Sequence, residues 1–181
     1  KLLTTPDAPE LAVLEGARAI LAAARCPPGA VSLVVHGTTL ATNALIERKG
    51  ARTALVTTEG FRDSLEIAYE HRFEQYDLYM ERPEPLVPRR LRLGVPERVA
   101  ADGEVLRPLD EAALRATAAM LRAERIEAVA ICFLHSFTND AHERRAAEIL
   151  DEELPGVALS LSCEVAPEIR EYERTSTTVA N

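Results

Sequence analysis

The chain has 181 residues, of which 47% are hydrophobic and 28% charged, and its formal net charge is −8. This length supports one compact domain or a large piece of a longer protein, and the composition excludes a disordered chain. The acidic balance and an aromatic content of 4% argue against nucleic-acid binding. No apolar run approaches the roughly 18 residues of a membrane helix, so no membrane partner is predicted.

The first predicted helix begins near Asp7, where Glu10 stands three positions later in capping-box spacing and Pro9 is tolerated in the first turn. Apolar residues then recur at helical intervals until the Pro-Pro-Gly sequence at 27–29. Three cysteines, at positions 26, 132 and 163, lack CxxC spacing. They predict reduced thiols in a cytoplasmic protein and no metal site.

A strand–helix–strand unit is predicted next. Residues 31–35 are β-branched and apolar, which is typical of a parallel strand buried on both faces. A helix over 39–49 follows, with Gly50 as its left-handed C-cap, and 52–57 forms the next strand.

The segment 70–109 interrupts this alternation with five prolines and many arginines, which exclude long helices. Short strands are predicted at 89–93 and 97–101, before a turn at Asp102 and Gly103. We interpret 70–109 as an insertion, either a hairpin or a lid; a solvated irregular loop is the alternative.

Regular alternation resumes after this insertion. Asp110 is predicted to cap a helix that buries Leu114, Ala118 and Leu121 on one face. The following elements are a strand at 128–133, a helix from a capping box at Asp140 and Glu143 to Leu150, a strand at 157–162, and a helical segment at 167–181. The predicted fold is therefore α/β, with a mostly parallel sheet and flanking helices. The absence of a closing signal after position 181 favours a fragment of a longer chain.

The first polar cluster directly follows the predicted strand at 31–35. Gly37 permits close backbone approach, and the hydroxyls of Thr38 and Thr39 together with the next helix N-terminus suit an anion. His36 precedes them, and Asn43 lies one helical turn further on. Ordinary N-capping by the two threonines is the alternative interpretation.

Two weaker candidates follow later strands. His135 stands after the strand at 128–133, where it is either a general base or a hydrogen-bonded structural residue. Glu164 stands at a predicted helix start, and Glu171 and Arg174 are three positions apart. An intrahelical ion pair explains that spacing most simply, although paired carboxylates also suit Mg²⁺ near a phosphate. The chain contains no P-loop or dinucleotide-binding motif.

Long stretches of the chain resemble, in the same order, the N-terminal region of the hydantoinase A/oxoprolinase family. They are HGTTLATNALIERKGARTALVTTEGFRD at 36–63, RPEPLVPRRLRLGVPERV at 82–99, FLHSFTNDAHE at 133–143 and EVAPEIREYERTSTTVAN at 164–181. The similarity is greatest to bacterial ATP-dependent N-methylhydantoinase-like A subunits, and acetone carboxylase-type subunits are related.

The resemblance implies an actin/sugar kinase/Hsp70-like (ribonuclease H-like) lobe. It also implies a Mg-ATP-dependent hydrolase that opens a hydantoin, 5-oxoproline or other lactam ring after phosphoryl activation, together with a B-type partner subunit. An acetone or acetophenone carboxylase-type subunit and a non-catalytic ligand-binding domain are the alternatives. Family chains begin with a DxGGTFTD-type phosphate loop that this sequence lacks. The isolated chain is therefore expected neither to bind ATP tightly nor to turn over.

The resemblance also assigns roles to residues within a single family region, 1–181. His36, Thr38 and Thr39 become catalytic candidates in a cleft between lobes. Substrate- or phosphate-binding candidates are Gly37, Asn43, His135, Glu164, Glu171 and Arg174. A lid or partner contact is expected from His71, Arg72, Tyr76, Asp77 and Tyr79. Residues 165–181 are expected to begin the connection to a second lobe.

Overall fold

A computed structural model describes residues 2–3, 5, 7–69, 76–79 and 83–181. The chain divides into two compact units, the first ending at Ala41 and the second beginning at Thr42. Within the described ranges, every helix is too short or too polar to cross a bilayer.

The first unit contains helix α1 (Pro9–Ala23) and a 3₁₀ turn (Pro28–Ala30). Ala8 is the N-cap of α1, because Pro9 occupies the first helical position. The predicted capping box at Asp7 is therefore wrong. Thr5 supports the helix start instead, since its Oγ1 accepts a hydrogen bond from the Ala12 amide at 3.3 Å.

The predicted buried strand at 31–35 is also wrong. Residues 31–39 adopt no regular secondary structure, and the side chains of Leu33, Val34 and Val35 are 76%, 78% and 86% exposed. A strand forms only when its backbone groups pair with a neighbouring strand. Neither sheet of the described chain includes this segment, so the predicted strand–helix–strand unit lacks its first strand.

Helix α2 (Leu40–Ile46) is shorter than the predicted 39–49. Two residues after its end, Arg48 has a positive φ of 53°. The Lys49 amide donates to the Ala44 carbonyl at 2.8 Å, which is the closing bond of a Schellman motif. The predicted C-cap at Gly50 is therefore wrong, because the chain turns two residues earlier.

The second unit is built on a four-stranded parallel sheet of order β2-β1-β5-β6. Its strands are β1 (Thr53–Thr58), β2 (Arg92–Val95), β5 (Ala128–Cys132) and β6 (Ala158–Leu161). In the central register, Val56 of β1 lies opposite Leu93 of β2 and Ile131 of β5. The predicted strands at 52–57, 128–133 and 157–162 and the parallel α/β class are confirmed.

Part of the predicted insertion at 70–109 belongs to this sheet. β2, which lies within this segment, pairs with β1 and so belongs to the central sheet. Beyond it, β3 (Arg98–Val99) and β4 (Val105–Arg107) form an antiparallel hairpin. Gly103 at the turn has a φ of 90°, and the Asp102 carboxylate accepts from the Glu104 amide at 3.0 Å. The predicted turn is therefore confirmed, and the interpretation of 70–109 as an insertion, either a hairpin or a lid, stays a prediction.

Helices cover the sheet in two groups. α4 (Glu111–Ala123) and α5 (Ala141–Glu153) pack together and against the sheet, whereas α3 (Ser64–Ile67) and α6 (Ser162–Val165) pack against α7 (Glu171–Ala180). The connection from β1 to β2 and that from β5 to β6 run in opposite directions along the sheet. Because such crossovers are right-handed, α3 and α5 lie on opposite faces.

The predicted core face of α4 is confirmed. Leu114, Ala118 and Leu121 are buried, and the Asp110 carboxylate caps the helix by accepting from the Ala113 amide at 2.9 Å. α7, predicted as part of 167–181, packs on β5 and contributes Val179 to the core. Its expected role as a connection to a second lobe stays a prediction.

Candidate functional site

A cleft opens at the carboxyl ends of β1 and β5. The chain leaves these neighbouring strands in opposite directions, toward β2 and β6. Such a switch point is where open α/β sheets bind ligands, because the diverging loops leave a crevice. The cleft is lined by Thr57, Phe61, Ser64, Cys132, Leu134, Glu171, Arg174 and Thr175.

Arg174 is the charged centre of this cleft and is only 1% exposed. Its Nη1 donates to the Glu168 carbonyl at 2.8 Å, and its Nη2 donates to the Phe133 carbonyl at 2.9 Å. The guanidinium also lies 5.5 Å from the centre of the Phe137 ring. The predicted ion pair with Glu171 is therefore wrong, because the guanidinium turns toward the sheet.

One N–H group of Arg174 has no hydrogen-bond partner within the described chain. Across the described residues, its Nε is the one buried side-chain nitrogen or oxygen without a hydrogen-bond partner. The partners of Nη1 and Nη2 are neutral carbonyls, so the buried positive charge has no carboxylate against it. A buried charge is normally paired or fully hydrogen-bonded. Among the described residues, the Arg174 guanidinium is therefore buried with one of its hydrogen bonds unmade.

Two hydroxyl groups of the cleft already donate hydrogen bonds to backbone carbonyls. Thr57 Oγ1 donates to the Cys132 carbonyl at 2.7 Å, and Ser64 Oγ donates to the Phe61 carbonyl at 2.8 Å. Their oxygens keep lone pairs that can accept from a ligand. Burial raises the pKa of the Cys132 thiol to about 12. Cys132 is therefore a neutral wall of the cleft rather than a nucleophile.

A second buried cluster joins the hairpin to α5. Glu97 is 2% exposed; it accepts a short hydrogen bond from Thr58 and bonds His142 Nδ1 at 2.7 Å. The Leu134 amide donates to Thr58 Oγ1 at 2.9 Å. Sequence reasoning missed this cluster, because no spacing rule connects residues that are 45 positions apart.

The fully buried carboxylate of Glu143 accepts hydrogen bonds from groups that follow β5 and β6. It accepts from the Phe133 amide at 2.8 Å, from Ser162 Oγ at 2.6 Å and from the Cys163 amide at 2.9 Å. The predicted capping box with Asp140 is therefore wrong, because Glu143 turns inward to satisfy backbone groups after β5 and β6. At the helix start, Asn139 Oδ1 accepts from the Ala141 amide at 3.1 Å.

The cluster at 36–43 does not stand at a buried strand end. His36, Gly37, Thr38 and Thr39 are exposed in the segment without secondary structure, and Asn43 is exposed in α2. Thr38 Oγ1 accepts from the Leu40 amide at 3.3 Å, which is the local capping contact of the alternative interpretation. The predicted strand-end placement is wrong, and the proposed catalytic role of these residues stays a proposal.

Two other predicted residues make structural contacts. His135 has a left-handed φ of 57°, and its Nδ1 lies 2.8 Å from the Val99 carbonyl, which fastens the end of β5 to the hairpin. Glu164 is exposed and pairs with Arg144 at 2.8 Å. The structure therefore brings only Glu171 and Arg174 of the predicted set to the cleft.

The structure describes only some of the expected lid residues. Tyr76 and Tyr79 are more than 90% and about 90% exposed, and the Tyr79 amide donates to Asp77 Oδ1 at 2.8 Å. His71 and Arg72 lie outside the described residues. The lid therefore stays a prediction.

The residues of the cleft do not fit the implied Mg-ATP. The described chain contains no group of three or more His, Cys, Asp or Glu side chains placed to hold a metal ion. The cleft offers one carboxylate, Glu171, beside a guanidinium that repels a cation.

Comparison with known proteins relates the chain to proteins named caprolactamase, 5-oxoprolinase and acetone carboxylase. It is 41% identical to caprolactamase subunit alpha of Pseudomonas jessenii over all of this chain and 27% of that subunit. It is 32% identical to the 5-oxoprolinase of Saccharomyces cerevisiae, over 97% of this chain and 16% of the relative. The chain thus spans about a quarter or less of the length of these relatives.

Two solved structures share the fold. The crystal structure of ATP-dependent caprolactamase from Pseudomonas jessenii matches 98% of this chain and 27% of its own with a TM-score of 0.85 at 41% identity. Nucleotide-free acetone carboxylase matches 99% of this chain and 28% of its own with a TM-score of 0.82 at 27% identity. The predicted actin/sugar kinase/Hsp70-like lobe is confirmed. A model of the hydantoinase/oxoprolinase N-terminal region matches residues 1–154, and the chain belongs to this family.

Proposed function

We propose that the protein containing this chain is part of an ATP-dependent enzyme that opens the ring of a cyclic amide. The observation that carries this proposal is the 41% identity to a caprolactamase alpha subunit over the whole chain. The similarity to a 5-oxoprolinase points to the same class of substrate. The proposed substrate is a hydantoin, 5-oxoproline or another lactam.

The structure supports a ligand site at the switch point. Arg174 and Glu171 line a cleft there, and Arg174 retains an unused N–H. The exposed side chains of His36, Thr38, Thr39 and Asn43 are accessible to a ligand as well. The complete protein is proposed to use Mg-ATP. The described cleft does not accommodate it.

We also propose a partner subunit of the hydantoinase B type. Similar proteins carry subunit names, among them caprolactamase subunit alpha and acetone carboxylase beta subunit. A cytoplasmic location is supported by the free thiols of Cys26, Cys132 and Cys163.

The test is phosphate release from Mg-ATP by the complete protein co-purified with its partner subunit. Caprolactam, 5-oxoproline and hydantoin are added separately, and the ring-opened acid is followed by mass spectrometry. The proposal expects one of these rings to accelerate phosphate release in proportion to ring-opened product. Phosphate release that none of them changes would contradict it.

The carboxylase alternative rests on the structural match to acetone carboxylase. It predicts that acetone or acetophenone, rather than a lactam, stimulates phosphate release. It further predicts that ¹³C from bicarbonate enters the product. A non-catalytic ligand-binding domain would bind one of these compounds without any turnover.

A further inference from the structure

A buried glutamate is hydrogen-bonded to a histidine between the hairpin and α5. Glu97 stands just before β3, and its side chain has no exposed surface. Its Oε2 lies 2.7 Å from Nδ1 of His142, in the first turn of α5, and its Oε1 accepts a hydrogen bond from Thr58. Of the histidines that the structure describes, only His142 is hydrogen-bonded to a carboxylate.

The neighbours of this Glu97–His142 dyad assign the hydrogen of the imidazole ring. The Leu134 amide donates to Thr58 Oγ1 at 2.9 Å, so the hydrogen of that hydroxyl goes to Glu97. Because the carboxylate accepts on both oxygens, Nδ1 of a neutral His142 carries the ring hydrogen. Nε2 then keeps a lone pair that can accept a proton.

Nε2 of His142 is open to solvent. The side chain is 11% exposed, and Nε2 has no hydrogen-bond partner among the described residues. A buried Nε2 without a partner would be unsatisfied in the same way as Arg174 Nε, but Arg174 Nε is the one such side-chain atom in the described chain. Nε2 therefore has accessible surface, and a water molecule can reach it.

The contacts between the hairpin and the segment after β5 do not require a buried charge. His135 makes one with the neutral Val99 carbonyl, and Asn139 makes another with the Gly103 carbonyl, both at 2.8 Å. Glu97 instead takes a carboxylate out of water, which is costly. A buried carboxylate has a role where an imidazole transfers protons, because it orients the ring and stabilises its protonated form.

The dyad lies at the edge of the sheet where open α/β folds bind ligands. Thr58 is the last residue of β1, and Leu134 follows β5. The Leu134 side chain lines the cleft at the switch point, while its amide donates to Thr58. Consecutive hydrogen bonds therefore connect the wall of the cleft to Glu97 and His142.

We propose that the Glu97–His142 dyad is the general base of the proposed hydrolase. Water adds its oxygen to the amide carbonyl carbon, and its proton moves to His142 Nε2 as the O–H bond breaks. This proton passes to the ring nitrogen of the substrate when the C–N bond breaks, so the imidazole ends neutral. Glu97 is a positioning residue, since it acts through the imidazole. This assignment rests on the proposed function and adds the group that transfers its proton.

His142→Asn separates the two roles of the ring. The asparagine amide can still donate to Glu97, but it has no nitrogen that accepts a proton. In the complete protein with its partner subunit, this variant should lower kcat for ring opening about 10²–10⁴-fold, with KM and melting temperature near those of wild type. An unchanged kcat would overturn the assignment.

Asn139→Ser is the matched control for loosening of the hairpin. It removes the hydrogen bond to the Gly103 carbonyl, while the serine hydroxyl can still cap α5 in place of the asparagine oxygen. Its kcat should equal that of wild type. A loss of kcat in Asn139→Ser as large as that in His142→Asn would make the dyad a structural contact and overturn the assignment.

Glu97→Gln tests the positioning role. A glutamine amide can hydrogen-bond either tautomer of the imidazole, so it no longer selects the one that leaves Nε2 free. The variant should lower kcat at least about tenfold with little change in KM. A change confined to KM would contradict this role.

Chemical labelling of the wild-type protein is independent of the folding of any variant. Diethyl pyrocarbonate modifies unprotonated imidazole nitrogens, and peptide mapping follows its addition to His142. Ring opening should fall in proportion to the labelling of His142, and hydroxylamine should reverse both. Full activity with His142 labelled, or a His142 that resists labelling, would overturn the assignment.

The outcomes separate the dyad from the proposed function. Ring opening by wild type with an equal kcat in His142→Asn would make the dyad structural and leave the proposed function intact. An absence of ring opening in wild type would contradict the proposed function and, with it, the catalytic role of His142. If His142→Asn lowers the melting temperature, the labelling of wild type decides.

Discussion

Helices α1 and α4 lie in the two different units and have similar sequence patterns but different environments. Both carry leucines and alanines at helical spacing. In α1 no side chain is buried, and Leu14 is 49% exposed, whereas in α4 Leu114, Ala118 and Leu121 are buried. Helical periodicity therefore predicts an apolar face, but that face becomes part of a core only where it packs against other elements, as α4 does against α5 and the sheet.

Two apolar runs of the chain also differ in whether they form a strand. Residues 31–35 and Ala128–Cys132 are both short apolar runs, and both are predicted as strands. Only β5 has neighbours on both sides, β1 and β6, that satisfy its backbone groups. Pairing with distant parts of the chain, rather than β propensity, separates the two runs.

Replacing a buried leucine should destabilise the protein far more than replacing an exposed one. Leu114→Ala, at a fully buried position, should destabilise the protein by about 2–5 kcal/mol through lost burial and a cavity. Leu14→Ala, at a half-exposed position of α1, should cost less than about 1 kcal/mol. Urea unfolding of the complete protein measures both. Equal losses would show that α1 has a packed partner after all.

The thiols give the next contrast. Burial raises the pKa of Cys132 and of Cys163 to about 12, and the Glu143 carboxylate adds to both shifts. At pH 8 only about one thiol in ten thousand at each site is then a reactive thiolate. Cys26, which is partly exposed in the first unit, should react with iodoacetamide at least about tenfold faster.

Peptide mapping by mass spectrometry follows this labelling, and urea-unfolded protein is the control in which all three thiols react. As the pH rises from 8 toward 12, the labelling of Cys132 should increase, because its thiolate becomes populated. Rapid labelling of Cys132 at pH 8 would contradict its burial.

The smallest effect compares two helix ends. Two residues after the end of α1 and of α4 stands an arginine in the left-handed conformation, Arg25 at a φ of 54° and Arg125 at 53°. Glycine adopts this conformation without a Cβ clash, so Arg125→Gly should stabilise the protein by about 0.5–1 kcal/mol. The measurement is the shift in melting temperature.

Arg25→Gly makes the same change after α1, in the first unit. If the first unit unfolds together with the second, its gain should match that of Arg125→Gly. A gain confined to Arg125→Gly would show that the first unit unfolds separately. A loss of stability in Arg125→Gly would contradict the closing geometry of α4.

Local rules predicted the elements that depend on nearby residues. The Asp110 cap, the buried face of α4 and the turn at Gly103 each involve groups within a few positions of one another. The same rules failed at Glu143, whose spacing from Asp140 fits a capping box but whose carboxylate serves amides ten and twenty positions away. The candidate site was predicted in the same partial way, through Glu171 and Arg174.

Composition, periodicity and the long family-like stretches were by themselves enough to determine the α/β class, the parallel strands of the second unit and the family. The tertiary structure alone decided that 31–35 stays unpaired, that β2 joins the sheet, and that Arg174 faces the strand ends with one unused N–H. The physical reason is that strand pairing and the hydrogen bonds of buried charges connect residues far apart in the chain, where spacing rules carry no information.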